Sequence, residues 1–141
     1  MTKTNKVFLD SSVLIAAAIS RRGAARDLLR RGFRGDLELS VSPLVLEEVE
    51  RNLARKAPEA LPDFRSLRDL LAVQLIEPPK PLVLAVARVV VLKDAPIVAA
   101  AVAATYLATY DRRHLLRQKD EIKAQFALLV ATPDEVLAAQ H

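Results

Sequence analysis

The chain has 141 residues, 52% of them hydrophobic but only 4% aromatic, with a formal net charge of +4 and a pI near 9.7. That length makes one domain, residues 1–141, able to bury roughly 68% of its unfolded surface around an aliphatic core. The absence of cysteine excludes disulfides, thiolate metal sites and a cysteine nucleophile, and the two histidines, His114 and His141, are too few for the usual zinc ligand set.

In chain order, Lys6 to Leu9 reads as a first strand and Ser12 to Ala18 as a short helix behind it. Arg22 to Arg31 is helical, with Gly32 and Gly35 expected to stop it. Leu37 to Val41 alternates as a strand, and Ser42-Pro43 opens a helix with Ser as N-cap and Pro in the first turn. Pro58 and Pro62 break the chain before a helix from Phe64 to Ala72; Val73 to Glu77 is strand-like and ends at Pro78-Pro79. Leu82 to Leu92 is expected to be a helix on its length and its Pro81 start, against the strand preference of Val89-Val90-Val91.

A further helix starts at Asp94, Tyr106 to Thr109 is a strand, and Asp111 to Arg117 is helical. Ala127 to Ala131 forms the last strand, and Thr132-Pro133-Asp134-Glu135 is a capping box opening the terminal helix. Short apolar runs alternating with helices predict an α/β fold, a three-layer α/β/α sandwich around a mainly parallel sheet of four to five strands. The apolar stretch Pro81 to Ala108 contains Arg88, Lys93, Asp94 and Pro96, which argues against a membrane span. With no signal-peptide pattern at the start, the expected location is the cytoplasm.

Four carboxylates stand where elements begin or end: Asp10 after Val7-Phe8-Leu9, Glu48 in Ser42-Pro43-Leu44-Val45-Leu46-Glu47-Glu48-Val49, Asp94 before Ala95-Pro96-Ile97, and Asp111 after Thr109-Tyr110. Taken singly, each also reads as a strand terminator or a helix cap. Glu48 is the more informative. On a helical wheel Val45, Leu46, Val49 and Leu53 form the buried stripe, Glu47 points away from it, and Glu48 lies on its boundary with Asn52. Glu47 and Glu50 are therefore expected to be surface charge. In a parallel sheet, sites form outside the carboxyl ends of the strands, which is where Asp10 and Asp111 fall. Brought together, such acids repel: two unit charges ~4 Å apart cost about 4 kcal/mol at an effective dielectric near 20. A divalent cation relieves that repulsion, and oxygen ligands favour Mg²⁺ or Mn²⁺, a combination suited to hydrolysis of phosphate esters.

The order and separation of Leu9-Asp10-Ser11-Ser12-Val13-Leu14, Glu48-Val49, Asp94-Ala95-Pro96-Ile97 and Thr109-Tyr110-Asp111 resemble the PIN-domain nucleases over almost the whole chain. The nearest likeness is to the toxins of bacterial and archaeal toxin–antitoxin pairs. The resemblance implies that Asp10, Glu48, Asp94 and Asp111 hold one or two Mg²⁺ or Mn²⁺ ions, with Ser12 and Thr109 orienting the liganding groups from behind. It implies an endoribonuclease, a homodimer and a possible antitoxin partner. Ser11 and Ser12 stand where members often carry Asn or Thr, and Tyr110 where they often carry Gly.

A net positive charge suits a polyanionic partner. Arg22, Arg26 and Arg30 recur at four-residue steps, Lys93 adjoins Asp94, and Arg112, Arg113 and Arg117 follow Asp111; these are the expected RNA contacts, although most such cations are ordinary solvated charges. His114 is read as a surface or packing residue. A dehalogenase-like phosphatase would need a second Asp where Ser12 stands. The alternative from another class is a non-catalytic RNA- or protein-binding module that keeps the fold, whose binding would be insensitive to chelation.

Overall fold

Four short strands carry the architecture: β1 (Asn5–Leu9), β2 (Leu37–Ser40), β3 (Tyr106–Ala108) and β4 (Leu129–Ala131). In the computed structural model, which describes residues 5–71 and 75–140, they lie side by side in the order β2-β1-β3-β4. All pairings are parallel, with Val7 opposite Leu39, Leu9 opposite Ala108, and Ala108 opposite Ala131. A single parallel bridge from Val41 to Leu75, with the Ile76 amide donating to the Val41 carbonyl at 2.7 Å, prolongs the sheet beyond β2. The expected strand Val73 to Glu77 is thus represented by its Leu75–Ile76 step, its first two residues lying outside the described residues. Val7, Phe8 and Leu9 are fully buried, as a strand covered on both faces requires.

The helices are α1 (Ser11–Ile19), α2 (Ala24–Phe33), α3 (Pro43–Lys56), α4 (Leu61–Leu71), α5 (Lys80–Val86), α6 (Ala95–Ala101), α7 (Lys119–Phe126) and α8 (Pro133–Ala138), with 3-10 turns at Pro58–Ala60 and Leu92–Asp94. Helix α1 packs against α2, α3 and α4; α5 packs against α6, and α6 reaches β1 and β3. This is the expected α/β/α layering. Six of the seven residues of α6 are buried, four of them alanines, and these small side chains let the helix come close to the sheet. Ser42 caps α3 by accepting the Val45 amide, and Thr132 and Glu135 form a capping box on α8, as the turn chemistry predicted.

Three expectations are corrected. Helix α5 ends at Val86 and the chain then turns; the β-branched run Val89 to Val91 is neither helix nor strand, because it must deliver Asp94 to the sheet edge. The segment after Asp111 is a succession of turns rather than a helix, and the helix comes later, as α7. Gly32 does not stop α2 but lies inside it; the turn is made at Gly35, whose φ of +87° favours glycine.

Gly32 is needed for a different reason: a Cβ there would run into the buried Leu39 side chain of β2. We expect Gly32→Ala to lower stability by about 1–3 kcal/mol through overpacking, despite alanine's better helix propensity. A urea midpoint equal to or above wild type would show that Leu39 has room to move.

Candidate metal centre

The topology puts a crevice at the carboxyl edge of the sheet. From β1 the chain crosses to β2 on one side, then β3 returns to pair with β1 on the other. Such a reversal leaves a gap between neighbouring loops, the usual place for a site in this kind of sheet. Asp10 leaves β1 there with its amide donating to the Ala108 carbonyl at 3.0 Å, while the Thr109 amide donates to Ala131 at 3.0 Å. These two bonds continue the strand ladder by one residue and fix both backbones.

Asp10 is only 7% exposed, and its Oδ2 accepts from Thr109 Oγ1 at 2.7 Å and Ser12 Oγ at 2.9 Å. Each hydroxyl has only one proton to give. Thr109 Oγ1 accepts in turn from the Asp111 amide, and Ser12 Oγ from the Tyr110 amide, both at 3.0 Å. Every proton in this relay therefore points towards Asp10, an arrangement that suits a carboxylate and sets the position of Asp111 by the same bonds. Asp111 Oδ1 accepts the amides of Arg113 and His114 at 3.1 Å, curling the following turn back towards the site.

Asp94 closes the 3-10 turn before α6 and is 8% exposed. It stands at the N-cap position but makes no side-chain cap bond, so capping does not explain it. Its Oδ2 is buried without a hydrogen-bond partner among the described residues. Burial pushes its carboxyl above the usual carboxylate range; nearby Lys93 opposes this, while Asp111 and Asp10 reinforce it. Glu48 is half-buried on the second turn of α3, as the wheel predicted. Its carboxyl is also raised, by burial first, with Asp10 and Asp94 adding to the effect and the Ser11 hydroxyl and Arg51 opposing it. The four acids thus feel one another's charge, although Asp10 and Glu48 fall outside the tighter group of ligand atoms.

The ligand atoms of Asp94, Asp111 and His114 all lie within 4.8 Å of one another. A buried carboxylate oxygen without a partner, set among such atoms, is what a cation-binding residue presents. The donor set of carboxylates with one imidazole fits a divalent ion. His114, read from the sequence as a surface or packing residue, is half-buried, with Nδ1 3.7 Å from Asp111 Oδ2. Its three-residue spacing from Asp111 was the available signal. Glu50 is a partly exposed charge that bridges α3 to α4 through Arg65 at 2.6 Å and Arg68 at 3.8 Å.

The basic residues divide into two groups. Arg26 donates to the Ala17 carbonyl, and Arg30 to Asp27 and the Arg21 carbonyl, so both tie α2 to the segment before it. Arg22 is exposed. Lys93, Arg112 and Arg113 are exposed beside the acids and form no ion pair among the described residues. An open cleft of about 480 Å³ beside His114 is lined by Val91, Arg113 and Arg117 among others.

Glu48 and Asp94 bind protons more tightly in the folded chain than their ordinary values near 4.5 and 3.8. Metal-free protein therefore gains stability from this pair as pH falls from neutrality through their raised values towards the ordinary ones. We expect its melting temperature to rise as pH falls from neutrality towards about 4.5, and Asp94→Asn to melt higher than wild type at pH 7 with a flatter profile. A variant less stable than wild type at neutral pH would contradict the unrelieved burial of that charge.

A family model described as PIN domain matches residues 7–122. Among solved structures the chain is similar to the crystal structure of PAE2754 from Pyrobaculum aerophilum, at a TM-score of 0.62 and 20% identity over 95% of this chain and 88% of that one; at that identity the likeness is one of fold. No curated protein matches by sequence. Among the described residues no helix is long and apolar enough to cross a membrane. The acids at the sheet edge, the parallel fold and a family match spanning most of the chain agree, and the chain belongs to the PIN-domain family, whose fold is of the nuclease type.

Proposed function

We propose that the chain is a metal-dependent endoribonuclease, with Asp10, Glu48, Asp94 and Asp111 as the groups that hold Mg²⁺ or Mn²⁺. The observation that most supports this is that Asp94, whose carboxylate lies within 4.8 Å of ligand atoms of Asp111 and His114, keeps a buried, unpartnered Oδ2, because no purely structural role accounts for it. When bound, a divalent ion supplies positive charge beside a phosphate oxygen and makes a water acidic enough to act as nucleophile near neutral pH.

The chain's own residues do the rest. Thr109 and Ser12 hold Asp10 in one orientation, and the Asp111 amide on Thr109 ties the second acid to the first. Such support is what keeps liganding carboxylates in register. Lys93, Arg112 and Arg113 flank the acids and are free to meet the phosphates on either side of the cut. Attack by water, not by the ribose hydroxyl, leaves 5′-phosphate and 3′-hydroxyl ends. The finer reading is a toxin of a toxin–antitoxin pair, a cytoplasmic homodimer with a protein antitoxin. The exposed Leu84 and Leu92 are apolar side chains that such a partner would cover.

Incubation with total RNA and Mn²⁺ or Mg²⁺, followed by mapping of new 5′ ends, tests this reading. We expect chelator-sensitive cuts with 5′-phosphate ends, reduced at least about 100-fold in Asp10→Asn, the scale of removing one group aimed at developing charge. Cleavage unchanged in that variant would overturn the assignment, and RNA binding indifferent to chelation without cutting would mark a binding module.

The flanking cations make a separate prediction. Arg113→Ala should weaken single-stranded RNA binding and reduce its log–log salt slope by about 0.7, the contribution of one phosphate contact. An unaltered slope would remove Arg113 from the RNA path.

A further inference from the structure

We propose that His114 is itself a metal ligand, so that the site combines carboxylate oxygens with one imidazole nitrogen and selects transition-metal ions over Mg²⁺ more strongly than its acids alone would. The inference rests on the metal-dependent reading above and deepens it.

Three observations carry it. First, a ring nitrogen of His114 lies among the ligand atoms of Asp94 and Asp111, all within 4.8 Å of one another. Second, one member of that trio, Asp94, is 8% exposed and its buried Oδ2 has no hydrogen-bond partner among the described residues, which leaves that oxygen open to a ligand. Third, the ring is brought there by the same carboxylate it accompanies. Asp111 Oδ1 accepts the His114 amide at 3.1 Å, while Asp111 Oδ2 stands 3.7 Å from Nδ1. That gap is too long for a hydrogen bond, yet two ligands at ~2.1 Å from one ion can be up to about 4.2 Å apart.

The chemical consequence follows from ligand type. Mg²⁺ takes oxygen ligands and gives up its waters reluctantly. Imidazole draws Ni²⁺, Zn²⁺ and similar ions. One nitrogen in the set therefore shifts relative affinity without displacing the carboxylates. A plain surface ion pair between His114 and Asp111 would instead contribute little stability and leave metal preference untouched.

The test uses the full chain without an affinity tag, freed of metal, in calorimetric titrations with Mg²⁺, Mn²⁺ and Ni²⁺ for wild type and His114→Gln. The expected result is a loss of at least about 10-fold in Ni²⁺ affinity in the variant, no smaller than the loss usual for a group supporting a ligand, with Mg²⁺ affinity little changed. In wild type labelled with ¹⁵N-histidine, Zn²⁺ should shift the ring nitrogens of His114 and not those of His141, a readout that stands even if His114→Gln does not fold. Ion binding with no His114 ring shift, or an unaltered Ni²⁺ to Mg²⁺ ratio in a folded variant, overturns the role of the histidine alone. Failure of every ion to bind wild type overturns the metal-dependent reading together with it.

Discussion

Charge repulsion in a dry place is the constraint on which the functional part of this molecule depends. Asp10 and Asp94 are both more than nine-tenths buried, and Asp94 keeps an oxygen from both water and protein donors. An ionised carboxylate left this way costs free energy that the rest of the core must offset. The fold meets part of the cost at Asp10, where the Ser12 and Thr109 hydroxyls donate to one carboxylate oxygen and themselves accept the Tyr110 and Asp111 amides. No equivalent relay serves Asp94. The asymmetry is informative: Asp10 is held by hydrogen bonds, whereas Asp94 Oδ2 has none among the described residues and is met only by the charges of Lys93 and His114.

The sheet makes this asymmetry possible. Parallel pairing of β1 with β3 puts Asp10 beside Thr109 by register alone, one step beyond the Leu9–Ala108 pair. The reversal of strand order at β1 then opens the gap into which α3 sends Glu48 and the turn before α6 sends Asp94. Small residues along α6 let that turn come close to the strands. Stability is concentrated in the aliphatic layers behind the site, with Phe8 and Phe64 the large aromatic side chains fully buried. The turns that carry Asp10, Asp94 and Asp111 are then positioned by a rigid frame, as is usual for functional loops, and Glu48 stands on helix α3.

Much of this was legible in the amino-acid pattern, and what was not has identifiable causes. The alternation of apolar runs and helices gave the layer order, and the helical wheel separated Glu48 from Glu47 because burial on a helix has a fixed period. Local cap chemistry located Ser42 and Thr132 correctly because a cap depends on neighbours in sequence. Gly32 was misread as a stop since its reason, the approach of Leu39 from another strand, is tertiary. The Val89 to Val91 run followed neither of its local preferences because the chain must pass Asp94 to the sheet edge. His114 follows Asp111 in turns rather than in the expected helix, and the Asp111 side chain, by accepting the Arg113 and His114 amides, brings the ring back towards the acids. Propensity describes the first of these situations well and the last poorly.

The four acids are proposed to form one cation site at the crevice between β1 and β3. The most direct test of that site is a crystal of the protein grown with Mn²⁺ and measured at the manganese absorption edge. The expected result is anomalous density among Asp10, Asp94 and Asp111, with Asp94 Oδ2 in contact with the ion. Density elsewhere, or an empty crevice with Asp94 turned to a protein donor, would contradict it.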